Sequence, residues 1–188
     1  MGIKKHLEPI KPYWDIILFV VALLVANFFW KYTVLGDEGG DQVTWFGLDI
    51  TPPFDFLATH IASAVYWLVH LVRDTVHALP DNVIWFTSGS SVKIVWSCTA
   101  LKQSFIWLII MLVARGVWLR KLWFIPLGWV CIYLFNILRI ALITIIIEHH
   151  PDLFELMHTY VFKYLFYLML FGLWVWWSNR LSGAKREF

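Results

Sequence analysis

Charge is what this chain has least of. Asp, Glu, Lys and Arg supply 15% of its 188 residues, against about a quarter in ordinary globular proteins. Hydrophobic residues make up 60% and aromatics 19%, with 13 Trp and 15 Phe among them. A soluble domain of this size has no core large enough for that load, so the composition requires an integral membrane protein. Cysteine is equally scarce. Cys98 and Cys131 are the two, too few for a disulfide scaffold and without C-x-x-C spacing. No basic tract suggests a nucleic-acid partner, and no internal repeat or low-complexity stretch is present.

What is present is a series of apolar runs in one 188-residue transmembrane domain. The first, over residues 13–30, follows Lys4, Lys5 and Lys11 and is long enough to cross the hydrocarbon at ~20 residues per span. No small-x-small cleavage site follows it, so an uncleaved signal anchor is expected. Further spans are expected over 99–114, 122–147 and 158–177. The 54–79 segment differs, because Asp55, Thr59, Ser63, His70, Asp74 and His77 recur at spacings of three, four or seven. That is one face of an amphipathic helix that lies in the interface, re-enters or crosses with its stripe toward a partner. After it, two β-rich runs flank Ser88-Gly89-Ser90-Ser91 and read as an extracytoplasmic hairpin over 81–97.

Charge orients these segments. Lys4, Lys5 and Lys11, then Arg115, Arg120 and Lys121, then Arg180, Lys185 and Arg186 account for nine of the 15 cations, and all three groups belong in the cytoplasm. The acids lie in the other connections: Asp37, Glu38, Asp41 and Asp49, then Glu148, Asp152 and Glu155. The expected fold is all-α, a polytopic helix bundle of four spans plus one interfacial or re-entrant helix and the hairpin.

Ionisable residues inside spans are costly and mark function by default. Arg139 is the outstanding case, with Asn136 three residues before it on the same helical face. Cys98 stands 17 residues before Arg115, Arg139 18 after Lys121 and His158 19 before Trp177. At ~1.5 Å per residue all three groups lie roughly 25–29 Å from the inner boundary, close to the outer one. A nucleophile, a permanent cation and an acid/base group thus share one depth. A cysteine attacks as its thiolate, and Arg139 can stabilise thiolate or oxyanion charge in a dry site. Lys102, four residues past Cys98, is expected on its helical face, and His158 can shuttle protons.

A cysteine opening a span after a hairpin, then Asn136-x-x-Arg139-Ile140 in the next span, then a histidine opening the last, resembles the exosortase/archaeosortase family of membrane cysteine transpeptidases. The resemblance covers residues 80–177. It implies Cys98 as nucleophile, Arg139 as oxyanion-stabilising cation, His158 as proton shuttle and Asn136 as the residue orienting Arg139. It also implies a partner: a membrane-anchored protein whose C-terminal sorting signal combines a short motif, a transmembrane helix and a basic tail, cleaved at the outer face of the cytoplasmic membrane. No cofactor or metal is implied. The chain departs from the family at Ala100, where many members have glycine. A helical first turn accommodates alanine, so a changed substrate preference is expected there.

Other polar residues have plainer readings. Cys131 is expected to be packing near mid-bilayer, and Glu148-His149-His150 a solvated outer loop without zincin spacing. Lys163 has no assigned partner. A non-enzymatic membrane subunit is the alternative, either an assembly factor or an electron carrier binding haem between His70 and His77.

Overall fold

In the computed structural model, residues 13–36 and 42–182 are described. Lys4, Lys5, Lys11, Asp37, Glu38, Asp41, Lys185 and Arg186, which enter the charge argument, lie outside them. The architecture is mostly helical. Helix α1 (Trp14–Thr33) leads into a small antiparallel sheet of β1 (Val34–Gly36), β2 (Val43–Trp45) and β3 (Leu48–Asp49). Helix α2 (Thr51–His70) follows, then a second antiparallel sheet of β4 (Val76–Leu79), β5 (Val83–Phe86) and β6 (Ser91–Lys93). A 3₁₀ turn (Trp96–Thr99) delivers the chain to α3 (Leu101–Val113), α4 (Trp118–His149) and α5 (Phe162–Trp176). One-turn π segments at Leu156–Val161 and Trp177–Leu181 flank α5. Trp14–Thr33, Trp118–His149 and Pro151–Leu181 are long and apolar enough to cross a membrane, and Leu101–Val113 is a shorter apolar helix.

Contacts fix which helix ends lie together. Asp15, at the start of α1, pairs with Arg115 in the α3–α4 turn at 3.4 Å. The Val117 N–H in that turn donates to the Ser182 carbonyl at 3.1 Å, bringing in the end of the last helix. Lys121 is buried here. Its ammonium donates to the Ala114 and Leu112 carbonyls, capping the free C-terminal end of α3, and lies 4.3 Å above the Trp118 ring. The opposite end of the bundle carries Cys98, both sheets and α2.

Between the two ends, α3 and α4 pack closely because Gly128 has no side chain. The buried Trp107 ring occupies the space a Cβ would need, and its indole N–H donates to the Ile125 carbonyl at 3.2 Å. Small residues at such crossings let apolar helices approach where water supplies no driving force.

The segment expected as one helix over 54–79 is a helix and a strand. Helix α2 ends at His70, and Val76–Leu79 pairs with β5, burying Val76 beside Ile84 and Phe86. The polar stripe continues through Asp74 and His77 by coincidence of spacing, whereas Thr75, Val76 and Pro80 favour a strand and a stop. The expected hairpin over 81–97 is therefore the last two strands of a three-stranded sheet. It is held by Asp81 and Asn82 at φ of 60° and 59° and by Gly89 at 96°.

Candidate active site

Cys98 does not open a helix. It lies in the 3₁₀ turn, where its N–H donates to the Val95 carbonyl at 2.9 Å and the Thr99 hydroxyl donates to the Trp96 carbonyl at 2.7 Å. Ala100 then takes φ 58°, ψ 16°, the left-handed region, and α3 begins at Leu101. Left-handed backbone costs an L-residue with a Cβ roughly 1–2 kcal/mol and nothing comparable for glycine. Ala100 thus occupies a conformation that suits glycine, rather than the helical first turn expected from the sequence.

The left-handed residue has a direct consequence. In a continuous helix the Cys98 carbonyl would accept from the Lys102 N–H. Here it is free, and the Asn136 side-chain amide donates to it at 2.6 Å. Asn136 is fully buried. It holds the cysteine's backbone rather than orienting Arg139. Arg139, one turn further along α4, lies within electrostatic range of Cys98. The break at Ala100 also ends the expected same-face relation between Cys98 and Lys102, whose charged neighbours are instead Lys163 and Lys31.

Asn136 Oδ1 and Arg139 Nε, one turn apart on α4, are buried without a hydrogen-bond partner among the described residues, and so is Gln103 Oε1 on α3. Gln103 escaped sequence reasoning because an uncharged amide near a span's end gives no signal. It sits one turn before Trp107, whose ring packs against Gly128 of α4. Each such orphan atom costs about 1–3 kcal/mol unless something bonds it, which makes the α4 pair a place for a polar ligand.

His158 lies in the π segment before α5, half-buried, with its ring stacked on Phe154 at 5.2 Å. Met157 and Phe162, either side of it, pack against Ile143 and Ile147 of α4, so the last helix abuts the end of the Arg139 helix. Single π turns recur at functional sites. Cys131 is half-buried in α4.

Beside the site, a groove of about 830 Å³ runs between α2 and the second sheet. The α2 stripe of Thr51, Asp55, Thr59 and Ser63 lines one wall, with Asp81 and Lys93 opposite, and the groove reaches Trp96, two residues before Cys98.

Glu148 is not solvated. Its buried carboxylate accepts from the Thr75 hydroxyl at 3.2 Å and faces Arg73 at 3.6 Å and His149 at 3.5 Å, tying the second sheet to the end of α4. His149 and His150 are exposed. His70 and His77 do not share a helical face: His70 stacks on Tyr66 at the end of α2, and His77 lies in β4 against Trp85.

A helical membrane protein whose cysteine-bearing turn is tied by an amide to a helix carrying a half-buried arginine is the class these features define. The sequence pattern of the transmembrane exosortase family (Exosortase_EpsH) matches residues 42–176, from β2 to the end of α5, and the chain belongs to that family. Membership makes it, in general terms, a membrane sorting transpeptidase acting on membrane-associated substrates that carry sorting signals. No curated protein and no solved structure matches the chain.

Proposed function

We propose that this protein is a cysteine transpeptidase that cleaves the C-terminal sorting signals of exported proteins at the outer face of the cytoplasmic membrane. The observation that carries the reading is the Asn136–Cys98 hydrogen bond, which ties the backbone of the Cys98 turn to the helix that bears Arg139 and so supports a shared site. The Cys98 thiol gives its proton to His158 and its sulfur attacks the scissile carbonyl, forming a carbon–sulfur bond and a tetrahedral oxyanion. The fork of Arg139 faces that charge, and its unpartnered Nε is available to donate. As the carbon–nitrogen bond breaks, His158 gives the leaving amine a proton, and a thioester remains on Cys98. An amine, hydroxyl or water then attacks the thioester, losing its proton to His158, and the carbon–sulfur bond breaks as His158 returns that proton to the Cys98 sulfur.

The topology that suits this chemistry has α1, α3, α4 and α5 crossing, with the Arg115 end in the cytoplasm and α2 kept at the Cys98 end. The contacts joining Asp15, Arg115, Val117 and Ser182 support it. A substrate helix with a basic cytoplasmic tail follows the same orientation rule, so its motif emerges at the Cys98 level. The groove ending at Trp96 gives the exposed part of the substrate or acceptor a route to the thiol. In cells producing a sorting-signal substrate, Cys98→Ala should abolish processing and Cys131→Ala should retain it at equal membrane levels of enzyme. Processing by the Cys98→Ala variant would refute the assignment.

A further inference from the structure

Three lysines converge at the Cys98 end of the bundle, on helices far apart in sequence. The Tyr167 hydroxyl of α5 meets Asn27 Oδ1 of α1 at 3.4 Å. Lys31 lies one turn beyond Asn27, and Lys163 one turn before Tyr167. Because α1 and α5 are antiparallel, both displacements run toward the Cys98 end, leaving the two ammonium groups as neighbours. The third comes from α3. Its Phe105 ring packs on Phe29 at 5.8 Å and Trp30 at 5.4 Å, beside Lys31. Lys102 stands three residues before Phe105 on the same face, again toward the Cys98 end. Lys102 accordingly senses the charges of both Lys163 and Lys31.

Among the described residues, no carboxylate forms an ion pair with any of the three. Three like charges around a half-buried member repel one another unless an anion is shared between them. Lys31 and Lys163 are exposed, and so are Tyr32, Tyr160 and Tyr164 around them. Exposed tyrosines flanking apolar helices mark the headgroup level of a bilayer, where lipid phosphates lie.

We propose that Lys31, Lys102 and Lys163 form a binding site for an anionic phosphate group at the Cys98 end of the bundle. The group's chemistry is shared by a phospholipid headgroup and by free phosphate. The site draws on none of the residues assigned to bond cleavage, and its test reads binding rather than processing.

The test uses the full-length protein, delipidated in detergent and titrated with phosphatidylglycerol or phosphatidylcholine, with bound lipids counted by native mass spectrometry. The wild type should hold one phosphatidylglycerol in clear preference to phosphatidylcholine. Changing all three lysines to Gln should weaken that binding on the order of a hundredfold, while changing them to Arg should keep it. Lys93→Gln with Arg180→Gln, which removes two cations elsewhere in the chain, serves as a control and should bind normally. Displacement of the lipid by millimolar inorganic phosphate identifies a site for the phosphate group itself. Retention against phosphate identifies a headgroup site that also needs the acyl chains. If the triple Gln variant melts earlier than the wild type, the three single Gln variants are read instead, each expected to bind more weakly. Wild-type affinity in the Gln variants, or equal loss in the control, overturns the proposal.

Discussion

Asn136 donates its side-chain amide to the Cys98 carbonyl at 2.6 Å, joining the turn that carries the thiol to the helix that carries Arg139. The bond exists because Ala100 leaves that carbonyl outside the hydrogen-bond ladder of α3. Replacing Asn136 with Leu keeps the branched shape and strands the carbonyl, at a cost of about 1–3 kcal/mol. Sorting-signal processing at matched enzyme levels should fall about tenfold to a hundredfold. Asn136→Asp should be worse, because an acceptor then faces an acceptor beside the thiol. Wild-type processing by the Leu variant would leave Asn136 a packing residue.

The planar fork of Arg139 matters as well as its charge. Arg139→Lys keeps a cation but gives up the fixed donor geometry. If one strong donor to the oxyanion is lost, the barrier rises by ~2–4 kcal/mol. The rate of substrate cleavage in isolated membranes checks this. Near-normal turnover in the Lys variant would reduce Arg139 to a structural cation.

Ala100 supplies a stability prediction. Ala100→Gly removes the left-handed penalty of an L-residue, partly offset by the greater freedom of glycine in the unfolded chain. The gain should be about 0–1 kcal/mol, with processing retained. Ala100→Val adds a β-branched side chain at φ 58° and should lower the melting point of the detergent-solubilised protein clearly. A destabilised Gly variant would contradict the left-handed assignment.

These residues also separate what the sequence carries from what it hides. Arg139 and Asn136 stand out because ionisable and amide groups are rare in an apolar run. Counting residues from the charged ends puts Cys98, Arg139 and His158 at one depth, and the Asn136 bond bears on the first two by tying the Cys98 turn to the helix of Arg139. The turn at Ala100 is invisible in the sequence because alanine is a strong helix former and only tertiary packing holds it left-handed. Strand β4 is hidden for a different reason. A polar spacing of three and four runs unbroken from α2 into it, and only pairing with β5 selects the strand. The burial of Lys121 was equally illegible, since a lysine after an arginine reads as a solvated charge until the free carbonyls of α3 are placed beside it.

The histidines should divide by location. His158→Ala should slow both formation and resolution of the thioester, because one imidazole serves the leaving amine and the incoming nucleophile. His149→Ala and His150→Ala should leave processing largely intact, both side chains being exposed at the far end of α4. Single-turnover kinetics on purified enzyme and a sorting-signal peptide would separate the two steps. Loss on changing His149 or His150, with His158 dispensable, would move the acid/base role to that loop.

The central claim is that Cys98 becomes covalently acylated by the substrate, and trapping that species is its most direct test. Purified enzyme mixed with a sorting-signal substrate, quenched in acid and digested, is examined by mass spectrometry for a substrate-derived acyl group. The account predicts the adduct on the peptide bearing Cys98, removed by hydroxylamine as a thioester is, absent in Cys98→Ala and accumulating in His158→Ala if resolution slows more than formation. Efficient cleavage with no acyl-enzyme at any quench time, or an adduct on Cys131, would contradict it.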